Sequence, residues 1–175
     1  MPGLGIDLTR RGLEHALSMN KVIENCGDKG KELAKKLRSR ARDLPSLVLE
    51  SGLVPALLFY LSKTSPEDYR ASYGALANKD YSGLCSSERG AHGADEHEKK
   101  GPSIDKISYS LITAGIIIVL RELGYLDGAL NDVRKTIQAI IDLREKRKEF
   151  EASMIVQEYL VSLKRAAEAL WEGED

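Results

Sequence analysis

Hydrophobic residues recur at three- and four-residue spacing along most of this chain, which is the period of an amphipathic α-helix. The first such run follows Asp7, a predicted N-cap, and ends at Gly27. A second begins near Asp28. We expect Pro45 to kink or restart that second helix, because proline has no N–H to donate to the preceding turn.

Turn and cap residues predict two more helices before residue 80. Gly52 is expected to end the second helical stretch, and Pro55 fits the first turn of a short helix that reaches Lys63. The sequence Ser-Pro-Glu-Asp at 65–68 combines a cap, an early proline and acids that favour a helix N-terminus. We expect the helix that starts there to end near Lys79.

The second half of the chain contains its most apolar segment. A helix is predicted after Ser103, and it is apolar on nearly every side between Ile107 and Leu120, which is typical of the centre of a helical bundle. Gly124 should end it. From Leu126 to Trp171 the pattern fits either one very long helix or two, with a bend at "REKRKE", residues 144–149.

No segment alternates apolar and polar residues, so we expect no sheet. The predicted fold class is all-α, a single compact bundle of about five to seven helices that forms one domain over residues 1–175. Residues 82–102 have many glycines and no apolar period, and they are predicted to be a mobile loop.

Composition narrows the class of protein further. Hydrophobic residues make up 42% of the chain and charged residues 30%, which is typical of globular proteins, and the net charge is only −1. The longest uncharged run is shorter than the ~20 residues that span a bilayer, and no signal peptide is visible, so we expect a cytoplasmic protein without membrane contact. Cys26 and Cys85 do not form a CxxC pair and are expected to be reduced thiols.

Few residues suggest catalysis. Cys85, His92, Asp95 and His97 could bind metal, but their spacing matches no zinc motif, and His15 is expected to be a hydrogen-bonded, partly buried core residue. We therefore predict no catalytic residue, no metal and no cofactor. A metal-dependent enzyme that uses His92 and His97 is the alternative.

Dense basic charge is the most distinctive feature of the sequence. Residues 29–42 hold seven lysines and arginines and one acid, Glu32. On a helix, one row of these cations lies roughly opposite the buried stripe of leucines and a second row flanks it. Such a surface can neutralise phosphates without reading bases, although an ordinary solvated face would have the same pattern.

Two further basic clusters occur near the end of the chain, one at the suspected bend and one in the last helix. Together with the first run they provide the candidate nucleic-acid-contacting residues: Lys31, Lys35, Lys36, Arg38, Arg40, Arg42, Arg144, Arg147, Lys148, Lys164 and Arg165.

The block "RARDLPSLVLESGLVPALLFYLSK", residues 40–63, resembles the signature of the small α-helical subunit of type III-B (Cmr) CRISPR–Cas effector complexes. The similar features are a basic helix leading into Leu44-Pro45-Ser46, then Gly52-Leu53, then an apolar segment that ends in Ser62-Lys63. "RRGLEHALSMNKVIE" and "YLVSLKRAAEALWEG" also fit the ends of that family.

The resemblance implies a non-catalytic subunit of an antiviral RNA-targeting complex. Its partners would be the backbone and large subunits of the Cmr complex, the guide RNA–target RNA duplex, and copies of itself in a short filament. Two alternatives remain: a helical adaptor that binds protein without RNA, and the equivalent small subunit of a type III-A (Csm) complex.

Overall fold

The structure, a computed structural model, describes residues 5–85 and 103–173. Within these ranges the chain forms seven α-helices, one 3-10 turn and no β-strand, which confirms the all-α prediction. In chain order the helices are α1 Leu8–Asn25, α2 Gly30–Ser51, α3 Leu53–Ser62, α4 Pro66–Asn78, α5 Ile104–Glu122, α6 Val133–Glu145 and α7 Glu149–Leu170, and the 3-10 turn Gly27–Lys29 joins α1 to α2.

Three of the predicted helix starts are confirmed by their caps. The side chains of Asp7, Ser65 and Ser103 accept hydrogen bonds from backbone N–H groups three residues further on, at α1, α4 and α5 respectively. Each cap satisfies a donor that the first helical turn leaves without a partner. The local sequence therefore determines where these helices begin.

Helix α5 occupies the centre of the bundle, as its apolar pattern predicts. Fourteen of its nineteen residues are buried. The hydroxyls of Ser108, Ser110 and Thr113 donate to backbone carbonyls three or four residues earlier, at 2.6, 2.7 and 2.7 Å. These bonds leave no uncompensated side-chain hydroxyl at those positions, so the helix can be surrounded by apolar neighbours.

Helix α2 continues through Pro45, so the expected restart there is wrong. The proline is itself buried on the stripe that includes Leu44 and Val48, and its carbonyl accepts a 3.2 Å hydrogen bond from Nε2 of Gln157 on α7. Proline inside a helix costs about 3 kcal/mol. Burial of the stripe on both sides of Pro45 offsets that cost.

Helix α3 begins where Gly52 adopts φ 91°, a conformation that favours glycine. No side chain of the adjoining sequence caps α3. Instead Glu149, the first residue of α7, accepts a 2.9 Å hydrogen bond from the backbone N–H of Val54 and a 3.0 Å bond from Nε of Arg144. A residue 95 positions away in sequence therefore supplies the carboxylate that the helix N-terminus favours.

From Leu126 to Trp171 the chain forms two helices and not one long helix, which is one of the two arrangements that the sequence pattern predicts. Residues 146–148 separate α6 from α7, and Arg147 there has φ 57°. Helix α6 begins at Val133, later than Leu126, because the preceding residues turn at Gly124 and Gly128 with positive φ. The buried residues of that stretch are fixed by tertiary contacts such as the 2.7 Å bond from the Tyr69 hydroxyl to the Leu130 carbonyl.

Helices α1 and α7 run parallel and approach closely. A Cβ atom at Gly12 would lie 2.7 Å from the Cβ of Ser162, so only glycine fits there. The Ser162 hydroxyl donates to the Thr9 carbonyl at 2.7 Å, and the Trp171 indole donates to Oδ1 of Asn20 at 3.1 Å. These contacts fix the last residues of α7 beside the C-terminal half of α1.

A buried histidine–tyrosine pair lies between α1 and α7. His15 is 1% exposed, and its Nδ1 shares a 2.7 Å hydrogen bond with the hydroxyl of Tyr159. Its Nε2 has no partner among the described residues, so the expected hydrogen bonding is only partly present. Burial, together with the charge of Arg11, lowers the pKa of His15 to about 4, against a smaller opposing effect of Glu14.

The expectation of reduced thiols is wrong, because Cys26 and Cys85 form a disulfide with a Cα–Cα distance of 5.2 Å. They are 59 positions apart, a separation that no sequence motif would pair. The bond ties the end of α1 to the segment after α4. Most of the predicted mobile loop, residues 86–102, lies outside the described residues.

None of the helices within residues 5–85 and 103–173 combines the length and the hydrophobicity of a membrane-spanning segment.

We predict that removing the disulfide destabilises the protein substantially. Closing a loop of this length contributes about 4 kcal/mol in the chain-entropy description, which corresponds to a fall in Tm on the order of 10 °C. Thermal unfolding of the Cys26→Ser/Cys85→Ser double variant, compared with oxidised wild type, measures the effect. Reducing agent should lower the Tm of the wild type and leave the variant unchanged. Two titratable thiols in the non-reduced protein would contradict the assignment.

We also predict that acid destabilises the protein through His15. The pKa of His15 is about 4 in the folded state and 6.5 unfolded, so the unfolded chain binds more protons between these values. The contribution, about 3 kcal/mol, is present above pH 6.5 and is lost as the pH falls towards 4.

Denaturant unfolding at several pH values should show this slope in the wild type and a flatter one in His15→Gln. The His92→Gln/His97→Gln variant is the matched control and should retain the slope. Equal slopes in all three proteins would show that His15 does not carry the effect.

Candidate nucleic-acid interface

Helix α2 separates apolar from basic side chains by face. The buried stripe on the core side consists of Leu33, Leu37, Ala41, Leu44 and Val48. Lys31 and Arg42 are exposed, while Lys35, Lys36, Arg38 and Arg40 are partly exposed. The six cations predicted on α2 therefore all reach the surface, but they do not have equal access to a ligand.

The inner row, Lys36 and Arg40, is paired with α5. Nζ of Lys36 and Nη2 of Arg40 lie 3.0 and 2.6 Å from Oδ1 of Asp105. The Arg40 guanidinium also lies 3.9 Å above the centre of the Tyr109 ring, and its side chain is only 13% exposed. Burial opposes ionisation of Asp105, but the hydrogen bond from Lys36 and the charge of Arg40 outweigh it and lower its pKa. These two cations thus help to hold α2 against α5.

The outer row consists of the other four predicted cations of α2, Lys31, Lys35, Arg38 and Arg42. All of them except Lys31, together with the inner row, line a groove of about 580 Å³ at the surface of α2. The Arg38 guanidinium lies against Gly173, just after α7, and its Nε has no hydrogen-bond partner among the residues that the structure describes. Nε of Arg42 lies 3.0 Å from Oδ1 of Asp43, an exposed pair that contributes little to stability. The groove, called the basic groove below, is lined by Glu32, Lys35, Lys36, Arg38, Ser39, Arg40, Arg42 and Gly173, which are five cations and one acid.

A second groove of about 720 Å³ adjoins the first. Its lining includes Lys164, a predicted cation of α7, together with residues of α2. We call it the aromatic groove; its lining is Ser39, Arg40, Arg42, Asp43, Ser46, Leu47, Glu50, Phe59, Tyr60, Tyr109 and Lys164. Arg165, the neighbour of Lys164, is exposed but lines neither groove.

The cations at the α6–α7 turn form a separate cluster. Arg144 lies 3.0 Å from Glu149, and Lys148 lies 3.4 Å from Glu151, while Arg147 is exposed. Because Glu149 contacts Val54 beyond the C-terminus of α2, this cluster lies at the opposite end of the α2–α7 pair from Lys164. The separation along α7 is about 22 Å at 1.5 Å per residue. The structure does not bring the two groups together.

Sequence reasoning missed the aromatic side chains beside the α2 cations. Phe59 and Tyr60 come from α3 and Tyr109 comes from α5, and their rings meet edge to face with centroids 5.1 to 6.3 Å apart. Lys63 places its ammonium group 5.4 Å from the centre of the Phe59 ring. No local motif connects residues of α3 with a residue of α5, so only the folded structure shows this cluster.

The candidate metal ligands do not form a site in the described residues. Cys85 is in the disulfide, and His92, Asp95 and His97 lie outside the described ranges. Within residues 5–85 and 103–173 no group of three or more His, Cys, Asp or Glu side chains is placed to hold a metal ion.

A family match and a sequence relative identify the same family for this chain. Residues 13–170 match the protein family described as CRISPR-associated protein (Cas_Cmr5). A protein of Saccharolobus solfataricus described as CRISPR system CMR subunit Cmr5 is 30% identical over 163 residues, which are 90% of this chain and 91% of that protein.

A solved structure shares the fold. A chain in the cryo-EM structure of the Type III-B Cmr-beta bound to cognate target RNA and AMPPnP aligns with a TM-score of 0.57 and 24% identity, over 93% of this chain and 97% of that chain. At that identity the likeness concerns the fold alone.

The family match extends over almost all of α1 to α7, and it decides between the two CRISPR families that the sequence left open. The chain belongs to the Cas_Cmr5 family, the small subunit of type III-B Cmr complexes.

Proposed function

We propose that the protein is a non-catalytic, structural subunit of a type III-B CRISPR complex and that it contacts RNA backbone through α2. The observation that carries the RNA contact is the basic groove, where five cations and one acid line a volume of about 580 Å³. Lysine and arginine bind phosphates regardless of base sequence. That property suits a complex in which base pairing with the guide reads the target.

The outer cations are the ones most available to phosphate. Lys36 and Arg40 share Asp105, so part of their charge is already compensated. Arg38 and Arg42 lack a buried acidic partner among the described residues, since the Arg42–Asp43 pair is exposed. We therefore assign the main phosphate contacts to Arg38 and Arg42, with Lys31 and Lys35 extending the path.

The α6–α7 turn would supply a second, separate contact. Arg144, Arg147 and Lys148 lie near the N-terminus of α7, which is about 22 Å along the helix axis from Lys164. Phosphates of one strand lie several ångströms apart, so a guide–target duplex along the α2–α7 pair could reach both clusters. The other partners proposed are the backbone and large subunits, in a cytoplasmic complex.

Contact with protein neighbours, including further copies of this chain in a short filament, is favoured by an apolar seam between α2 and α7. Leu49 follows Pro45 by one turn and Phe150 precedes Gln157 by two, and Gln157 is hydrogen-bonded to Pro45. Both side chains, with Met154, therefore border the same seam. Leu49 is 63% and Phe150 is 77% exposed. Apolar side chains grouped in this way are typical of protein contacts.

Neutralising the outer row should weaken RNA binding and its salt dependence. In the assembled complex, Arg38→Gln/Arg42→Gln should reduce the slope of log K against log salt by about 1.5, because two phosphate contacts are lost. Arg134→Gln/Lys135→Gln, which removes equal charge from exposed positions of α6, is the matched control and should leave the slope unchanged. A salt slope equal to that of wild type in both variants would favour the adaptor without RNA contact.

A substitution in the apolar seam should impair assembly of this chain with the other subunits and should not act through RNA binding. Phe150→Ser removes the most exposed large apolar side chain among the described residues, so it should lower the amount of this chain that co-purifies with the other subunits, with unchanged thermal stability. Ile141→Ser on α6, a less exposed apolar position away from the seam, serves as control. Full incorporation of the Phe150 variant would exclude the seam as a protein contact.

A further inference from the structure

The aromatic groove differs chemically from the basic groove beside it. Its cations Arg40, Arg42 and Lys164 are opposed by Asp43 and Glu50 in the same lining, so its charge is nearly balanced. A phosphate would therefore gain little electrostatic stabilisation in the aromatic groove. The polar lining offers hydrogen-bond donors and acceptors together, which is what a neutral heterocycle requires.

Phe59 gives this groove an open aromatic surface. The ring is 49% exposed, although it contacts Tyr60 and Tyr109 edge to face with centroids 6.0 and 6.3 Å away. Edge-on contacts hold a ring in place while leaving area on its faces. The Lys63 ammonium lies 5.4 Å from the centre of the same ring, so a planar group would lie against the face that Lys63 does not cover.

The floor of the groove is held in place. The Arg40 guanidinium is fixed between Asp105 and the Tyr109 ring, and Tyr109 packs against Tyr60 with ring centroids 5.1 Å apart. A ligand would thus find the cation and the rings already positioned, at a low entropic cost of ordering.

The two grooves are adjacent and share a wall. Ser39, Arg40 and Arg42 line both, so a chain whose phosphates lie in the basic groove passes the opening of the aromatic groove. Its volume, about 720 Å³, is within the range of pockets that hold small organic ligands. Single-stranded RNA carries such phosphates and bases side by side, and unstacked bases bind aromatic side chains.

We propose that the aromatic groove binds one RNA base that lies outside the paired segments of the guide–target duplex. This base stacks on Phe59 while the flanking phosphates contact Arg42 and the basic groove. This inference rests on the RNA contact proposed above and adds a base subsite to it. The subsite tolerates different bases, because every base presents an aromatic face.

The test uses the full-length chain and two fluorescent RNA strands of equal length, one intact and one with abasic positions that retain the phosphates. Phe59→Leu keeps the apolar volume but removes the aromatic face. This variant should bind the intact strand about tenfold more weakly than wild type does, and it should bind the abasic strand with the affinity of wild type. Phe59→Trp should restore binding, and Tyr125→Leu, which removes an aromatic ring outside both grooves, is the matched control.

The salt dependence separates this inference from the function on which it rests. Phe59→Leu should leave the salt slope unchanged. If wild type and Phe59→Leu bind the intact strand equally and with the same salt slope, the base subsite alone is overturned. An equal loss of affinity for the intact and the abasic strand in Phe59→Leu overturns it too. Impaired complex assembly with unchanged RNA binding overturns it in favour of a protein ligand. Absence of salt-dependent binding by wild type overturns both proposals.

Discussion

Helix α5 has almost no surface that can face water, so each helix packed around it must present an apolar side. Helix α2 meets this requirement with its leucine stripe, which packs towards α5 and α7. Its lysines and arginines must then point away from the core, because isolated buried charge is costly. The position of the candidate RNA surface is therefore a consequence of how the core is filled.

The same packing divides the α2 cations into two groups. Asp105 lies in the first turn of α5, beside the edge of α2, and it compensates Lys36 and Arg40. Arg40 then supports Tyr109 and the aromatic side chains around it. Lys36 and Arg40 thus contribute to the architecture, whereas Arg38 and Arg42 are the proposed phosphate contacts. Charge counted along the sequence does not show this division, since it depends on an acid from another helix.

Much of the fold could be read from the sequence because the relevant signals are local. The caps Asp7, Ser65 and Ser103 and the apolar period of α5 act within a few residues. The features that were missed depend on distant residues: burial carries α2 through Pro45, and the Cys26–Cys85 bond joins positions 59 apart. In the candidate site, the cations of α2 were visible as a run. The aromatic groove was not, because its rings come from α3 and α5.

The disulfide and the cap of α5 also determine how the two halves of the chain are connected. Cys85 is bonded to the end of α1, and Ser103 begins α5, so each end of the intervening stretch is attached to the bundle independently. A backbone nick between these two points would divide the chain into one fragment with α1–α4 and another with α5–α7. Each fragment alone would expose the core that the α4–α5, α1–α7 and α2–α7 interfaces bury, so the two should remain associated as a non-covalent heterodimer.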